Sequence, residues 1–89
     1  MINKILDTIS KANFINKSFA PGYAYRASVN TYEIGRLTLQ AYNGLFKAYW
    51  DGAEIGMIRE SEEYERVLLA IFTRQKELKN DSLKQFLES

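Results

Sequence analysis

The side chains able to do chemistry in this chain are carboxylates, tyrosines and a few cations, because histidine and cysteine are both absent from its 89 residues. That removes the commonest general base, the commonest metal ligand and the best nucleophile together. Glu60, Glu62, Glu63 and Glu65 are dense enough to suggest a hard-cation site. Successive helical positions fan outward rather than converge, however, so their simplest role is to complement the dipole of a helix beginning at Ser61. Asp51 precedes Gly52 and is the residue a tight turn asks for. No Walker loop or dinucleotide fingerprint occurs. The expectation is a protein with no catalytic residues, no metal site and no cofactor.

The six tyrosines carry more information. Tyr42 and Tyr49, with Tyr32 as a weaker member, fall away from the expected core, beside Arg26, Arg36 and Lys47. Tyrosine with arginine is the composition of protein-interface hot spots and of base-stacking surfaces. Ordinary cross-strand pairing on a half-covered sheet accounts for it equally well. Arg26, Arg36, Tyr42, Lys47 and Tyr49 form the candidate partner-binding set.

These residues are positioned by a chain that reads as one domain over residues 1–89, with 46% hydrophobic and 26% charged residues. Ile2, Ile5, Leu6 and Ile9 recur at helical spacing and predict an amphipathic helix of about twelve residues ending near Asn13. Pro21-Gly22 suits a type II turn. A first strand then follows through Tyr23, Tyr25, Ala27 and Val29, with a loop at Thr31-Tyr32-Glu33. Asn43-Gly44 and Asp51-Gly52, each flanked by β-formers, are type I′ hairpin signatures. Two-residue loops pair Leu37 with Trp50, Leu39 with Ala48 and Ala41 with Phe46. They also pair Trp50 with Ala53, Ala48 with Ile55 and Phe46 with Met57. All of these lie on one face, which makes Trp50 a core residue. Arg36, Thr38, Gln40, Tyr42, Leu45, Lys47, Tyr49, Glu54, Gly56 and Ile58 fall on the other.

Ser61 is an N-cap, and Tyr64, Val67, Leu68, Ile71, Phe72, Gln75 and Leu78 mark one side of a long helix. The apolar phase breaks at Asn80-Asp81, and Ser82-Leu83-Lys84-Gln85 restarts as a capping box for a short terminal helix. The expected fold is therefore α+β: an N-terminal helix, a four-stranded antiparallel meander, a long C-terminal helix and a short terminal helix. This order resembles that of double-stranded-RNA-binding domains. Such domains open their last helix with a phosphate-gripping lysine cluster, whereas this chain has Ser61-Glu62-Glu63-Tyr64-Glu65, and it is not assigned to that family.

Net charge is +1, with a basic excess of seven to four over residues 1–59 and an acidic excess of seven to five beyond. This falls well short of a polycation stripe. The lack of cysteine suits a reducing compartment, and the polar N-terminus and absence of a long apolar run predict a cytoplasmic protein with no membrane contact. The function expected is a small non-catalytic module with a protein partner, such as an accessory or inhibitor protein of a phage or mobile element. The alternative is nucleic-acid binding through the same Tyr/Arg/Lys face. Leu83, Phe86 and Leu87 form an apolar stripe suited to homodimerisation.

Overall fold

The computed structural model describes residues 1–20 and 29–88. Its elements in chain order are α1 (Ile2–Ser10), β1 (Asn16–Ala20), β2 (Val29–Ile34), β3 (Leu37–Tyr42), β4 (Leu45–Trp50), β5 (Ala53–Ile58) and α2 (Ser61–Glu88). The class is α+β as expected, with five strands rather than four, in the order β1-β2-β3-β4-β5, and every neighbouring pair antiparallel.

The two hairpin turns form as their residues demand. Among the described residues Asn43 and Asp51 are the non-glycine residues at positive φ, 50° and 51°, each followed by a glycine at positive φ. This is the type I′ backbone, whose twist matches that of the flanking strands. The β3–β4 register is the expected one, with Leu37 opposite Trp50, Leu39 opposite Ala48 and Ala41 opposite Phe46. Between β4 and β5 only Trp50–Ala53 holds. A bulge leaves Ile55 without an opposite, so Ala48 meets Gly56 and Phe46 meets Ile58. Ile58 thereby reaches the core at 1% exposure, while Met57 turns outward at 36%.

The N-terminal half of the sheet differs from expectation. Thr31-Tyr32-Glu33 is not a loop but the middle of β2, and the reversal occurs about three residues later at Gly35-Arg36, with Ile34 opposite Leu37. Gly35 has φ of 60° and Arg36 does not follow it to positive φ, the pattern of a type II′ turn. Because side chains alternate with a period of two, this even loop brings Tyr32 to the core face, opposite to the outward facing expected for it. Asn30, Tyr32 and Ile34 share the side of Ala41, Leu39 and Leu37. β1, Asn-Lys-Ser-Phe-Ala, has little intrinsic strand preference and is held as an edge strand by β2. The Pro21-Gly22 turn and the strand expected through Tyr23, Tyr25 and Ala27 lie outside the described residues.

Both helices pack on the same sheet face. Ile5 and Ile9 of α1 and Val67 and Ile71 of α2 join Tyr32, Ile34, Leu37, Leu39, Ala41, Phe46, Ala48 and Ile58 in one buried cluster. Phe46 stacks on Tyr64 with centroids 4.6 Å apart, and Tyr32 meets its edge at 6.4 Å. Arg74 Nε donates to the Ala12 carbonyl at 2.8 Å, tying α2 to the segment after α1.

α2 runs unbroken for 28 residues through Asn80-Asp81, with no second helix. Asn and Asp cost an exposed helix interior only a few tenths of a kcal/mol each, and no Gly or Pro is present to stop it. Only Val67 and Ile71 are buried along it, and residues 79–88 are all exposed. No helix among the described residues is long and apolar enough to cross a membrane.

Candidate functional site

The face of the sheet opposite the helices is formed by Asn16 and Ser18 of β1, Thr31 and Glu33 of β2, Thr38, Gln40 and Tyr42 of β3, Leu45, Lys47 and Tyr49 of β4, and Glu54 and Met57 of β5. Among the described residues no helix or further strand packs over it. Three of the five residues singled out from the sequence lie here. Tyr42, Lys47 and Tyr49 are all half-buried, with Lys47 between Leu45 and Tyr49 along β4 and Gln40 directly across from it.

Lys47 is tied down within the face. Its Nζ sits 3.4 Å from Glu54 Oε1 and 5.8 Å from the centroid of the Tyr49 ring. Hydrogen bonding to Tyr49 first, and to Glu54 second, raises the ammonium above its ordinary pKa. The Tyr49 hydroxyl donates a long bond of 3.4 Å to Gln40 Oε1. The face is thus a polar and aromatic surface whose cation is already matched by an acid, with two half-buried tyrosines.

Arg36 does not belong to it. The residue occupies the β2–β3 turn, where its backbone carbonyl accepts from the Asp51 N–H at 2.9 Å. Its Nε donates to Asp51 Oδ1 at 2.9 Å, and Nη2 completes a bidentate pair with Oδ2. The guanidinium lies 5.3 Å from the centroid of Trp50, on which Lys4 Nζ also rests at 4.1 Å. Trp50 is therefore a half-buried platform at the end of the sheet rather than a fully enclosed core residue. Hydrogen bonding to Arg36 holds the Asp51 carboxyl below its ordinary pKa, and the same bond raises the guanidinium. Arg26 lies outside the described residues.

Comparison with protein-family models, curated proteins and solved structures returns no match. The site must be read from its own geometry.

Tyr32 departs from its expected place. It is 2% exposed on the core face, and burial, followed by the nearby Tyr64, raises its phenol pKa. Glu60, Glu62, Glu63 and Glu65 do not gather, and no group of three or more acids able to hold a metal ion occurs among the described residues. Lys4, Trp50 and Asp51 were not singled out as a cluster with Arg36. The signal was present: once Leu37 stands opposite Trp50, the next position of each strand is Arg36 and Asp51.

Proposed function

We propose that this protein is a cytoplasmic, non-catalytic binding module that docks a protein partner on the open face of its sheet, with Tyr42 and Tyr49 as anchors and Lys47 as a charge beside them. One observation carries the reading. The two described cations of the candidate set are each paired with an acid of the same chain, Lys47 with Glu54 and Arg36 with Asp51, while the two tyrosines are half-buried on a sheet face that no described helix covers. A phosphate track needs cations available to release counterions, whereas a protein interface draws its energy from amphipathic aromatic rings. The small size and lack of catalytic motif suit an accessory or inhibitor protein of a phage or mobile element.

The test has two arms. Short single- and double-stranded oligonucleotides are titrated at low salt, and a partner is captured from the host with and without nuclease and then purified for titration. Expected are no oligonucleotide binding at micromolar concentrations, nuclease-resistant capture, and a loss of about 30-fold in partner affinity for Tyr49→Ala, the scale of a hot spot near 2 kcal/mol. Micromolar oligonucleotide binding whose log-log salt slope falls by about 0.7 to 0.9 in Lys47→Ala would replace this reading with nucleic-acid recognition.

A further inference from the structure

A second surface, unconnected with the open sheet face, lies along α2. Glu62, Glu65, Leu69, Phe72, Lys76 and Lys79 follow one another at spacings of three and four and are all exposed, Leu69 at 67% and Phe72 at 49%. Such spacing draws one stripe along a helix, and here it runs on the side opposite Val67 and Ile71, the residues that seat α2 on the core. The stripe has an order: two acids, two large apolar residues, two bases. Among the described residues none of these four charges makes an ion pair within the chain.

We infer that this stripe is the interface of a two-fold symmetric homodimer, in which α2 packs antiparallel against the same helix of a second copy with the axis midway between Leu69 and Phe72. The charge order selects this arrangement. About that axis Leu69 meets the partner's Phe72, Glu65 meets the partner's Lys76 and Glu62 meets the partner's Lys79, and symmetry repeats each contact. A parallel pair in register would set each acid on its own copy and each base likewise, giving four repulsive layers. An antiparallel pair slipped by one heptad would put Leu69 against the partner's Lys79 and Phe72 against the partner's Lys76. A self-complementary patch is what a two-fold interface requires. The contact spans residues 62–79, about 27 Å of helix. It lies closer to the middle of α2 than the terminal stripe of Leu83, Phe86 and Leu87. With only two apolar layers it forms a small interface, so the dimer is weak and loosens as salt rises.

Sedimentation equilibrium of the full chain from about 1 to 300 µM, a range set to bracket a small interface, tests this with surface variants whose folding is checked by circular dichroism. Glu62→Lys with Glu65→Lys should be monomeric throughout, and so should Lys76→Glu with Lys79→Glu. Mixed one to one, the two double variants should form a heterodimer tighter than the natural dimer, and one chain carrying all four reversals should again dimerise with itself. For orientation, the chain has no cysteine of its own. Glu65→Cys mixed with Lys76→Cys should form a disulfide under mild oxidation far faster than either variant alone. A wild-type chain that stays monomeric across the range, a dimer that survives both double reversals, or a Glu65→Cys protein that couples fastest to itself would each overturn the inference.

Discussion

Gly56 stands opposite Ala48 with φ at 153°, and Met1 lies against it so closely that a Cβ at this position would come within 2.6 Å of Met1 Sδ. The bulge at Ile55 and the docking of the chain's first residue therefore meet at one glycine. The backbone requirement is the harder of the two, because the Met1 side chain can swing away while an L-residue at that φ remains strained. Gly56→Ala should cost about 1 to 3 kcal/mol in urea melts. A variant as stable as the natural chain would show that β5 can lose its bulge without penalty.

Phe46 and Trp50 sit four residues apart on the same strand face but should respond very differently to truncation. Phe46 is fully enclosed between Tyr64 and Tyr32, and Phe46→Ala should cost about 3 to 5 kcal/mol. Trp50 is half-buried under two cations, so Trp50→Ala should cost about 1 to 2 kcal/mol. Gln40, on the open face, holds only the long bond from Tyr49, and Gln40→Ala should stay within about 0.5 kcal/mol. Equal losses at Phe46 and Trp50 would place Trp50 inside the core after all.

The contrast between β3–β4 and its neighbours shows what local chemistry can and cannot announce. Asn43-Gly44 and Asp51-Gly52 are legible because positive φ at two successive residues excludes most side chains, and a two-residue loop fixes pairing beyond it. Tyr42, Lys47 and Tyr49 inherited their correct face from that register. Gly35-Arg36 reverses the chain with a single glycine, an ordinary dipeptide in a sequence, so alternation alone puts the loop about three residues early and Tyr32 outward, whereas it faces the core. The bulge at Ile55 was hidden for a related reason: Met57 and Ile58 are both apolar, and alternation alone does not choose between them. Arg36 escaped the open face because it belongs to a turn, where strand alternation no longer says which way a side chain points.

The end of α2 illustrates a different limit. Ser82-Leu83-Lys84-Gln85 has the residues of a capping box, but a cap forms only where the preceding helix stops. Asn80 and Asp81 are exposed and cheap to keep helical, so nothing stops it. The site on the open face was legible as a list of residue types on pinned strands, while the pairing of its cations needed the side-chain geometry.

The cluster of Lys4, Arg36, Trp50 and Asp51 should respond to acid. Arg36 holds the Asp51 carboxyl below its ordinary pKa, so the ionised form is favoured in the folded chain. A group lowered in this way contributes stability that is fully present above the unfolded carboxylate value of about 3.9, and that is lost as pH falls through the lower folded value. Asp51→Asn removes the charge yet keeps a side chain that tolerates the positive φ of the turn, as Asn43 does in the neighbouring hairpin. The melting temperature of the natural chain should therefore exceed that of Asp51→Asn by a constant margin from neutral pH down to about 4, and the margin should close at lower pH. Added salt at neutral pH should narrow it, since the pair is exposed. Trp50 is the sole tryptophan, so its fluorescence reports this cluster directly. In the natural chain its emission should change with an acid midpoint below the ordinary carboxylate range, and in Asp51→Asn that step should be missing. A margin between the two proteins that persists unchanged at pH values below the folded carboxyl's would mean that Asp51 acts through the turn backbone and not through its charge.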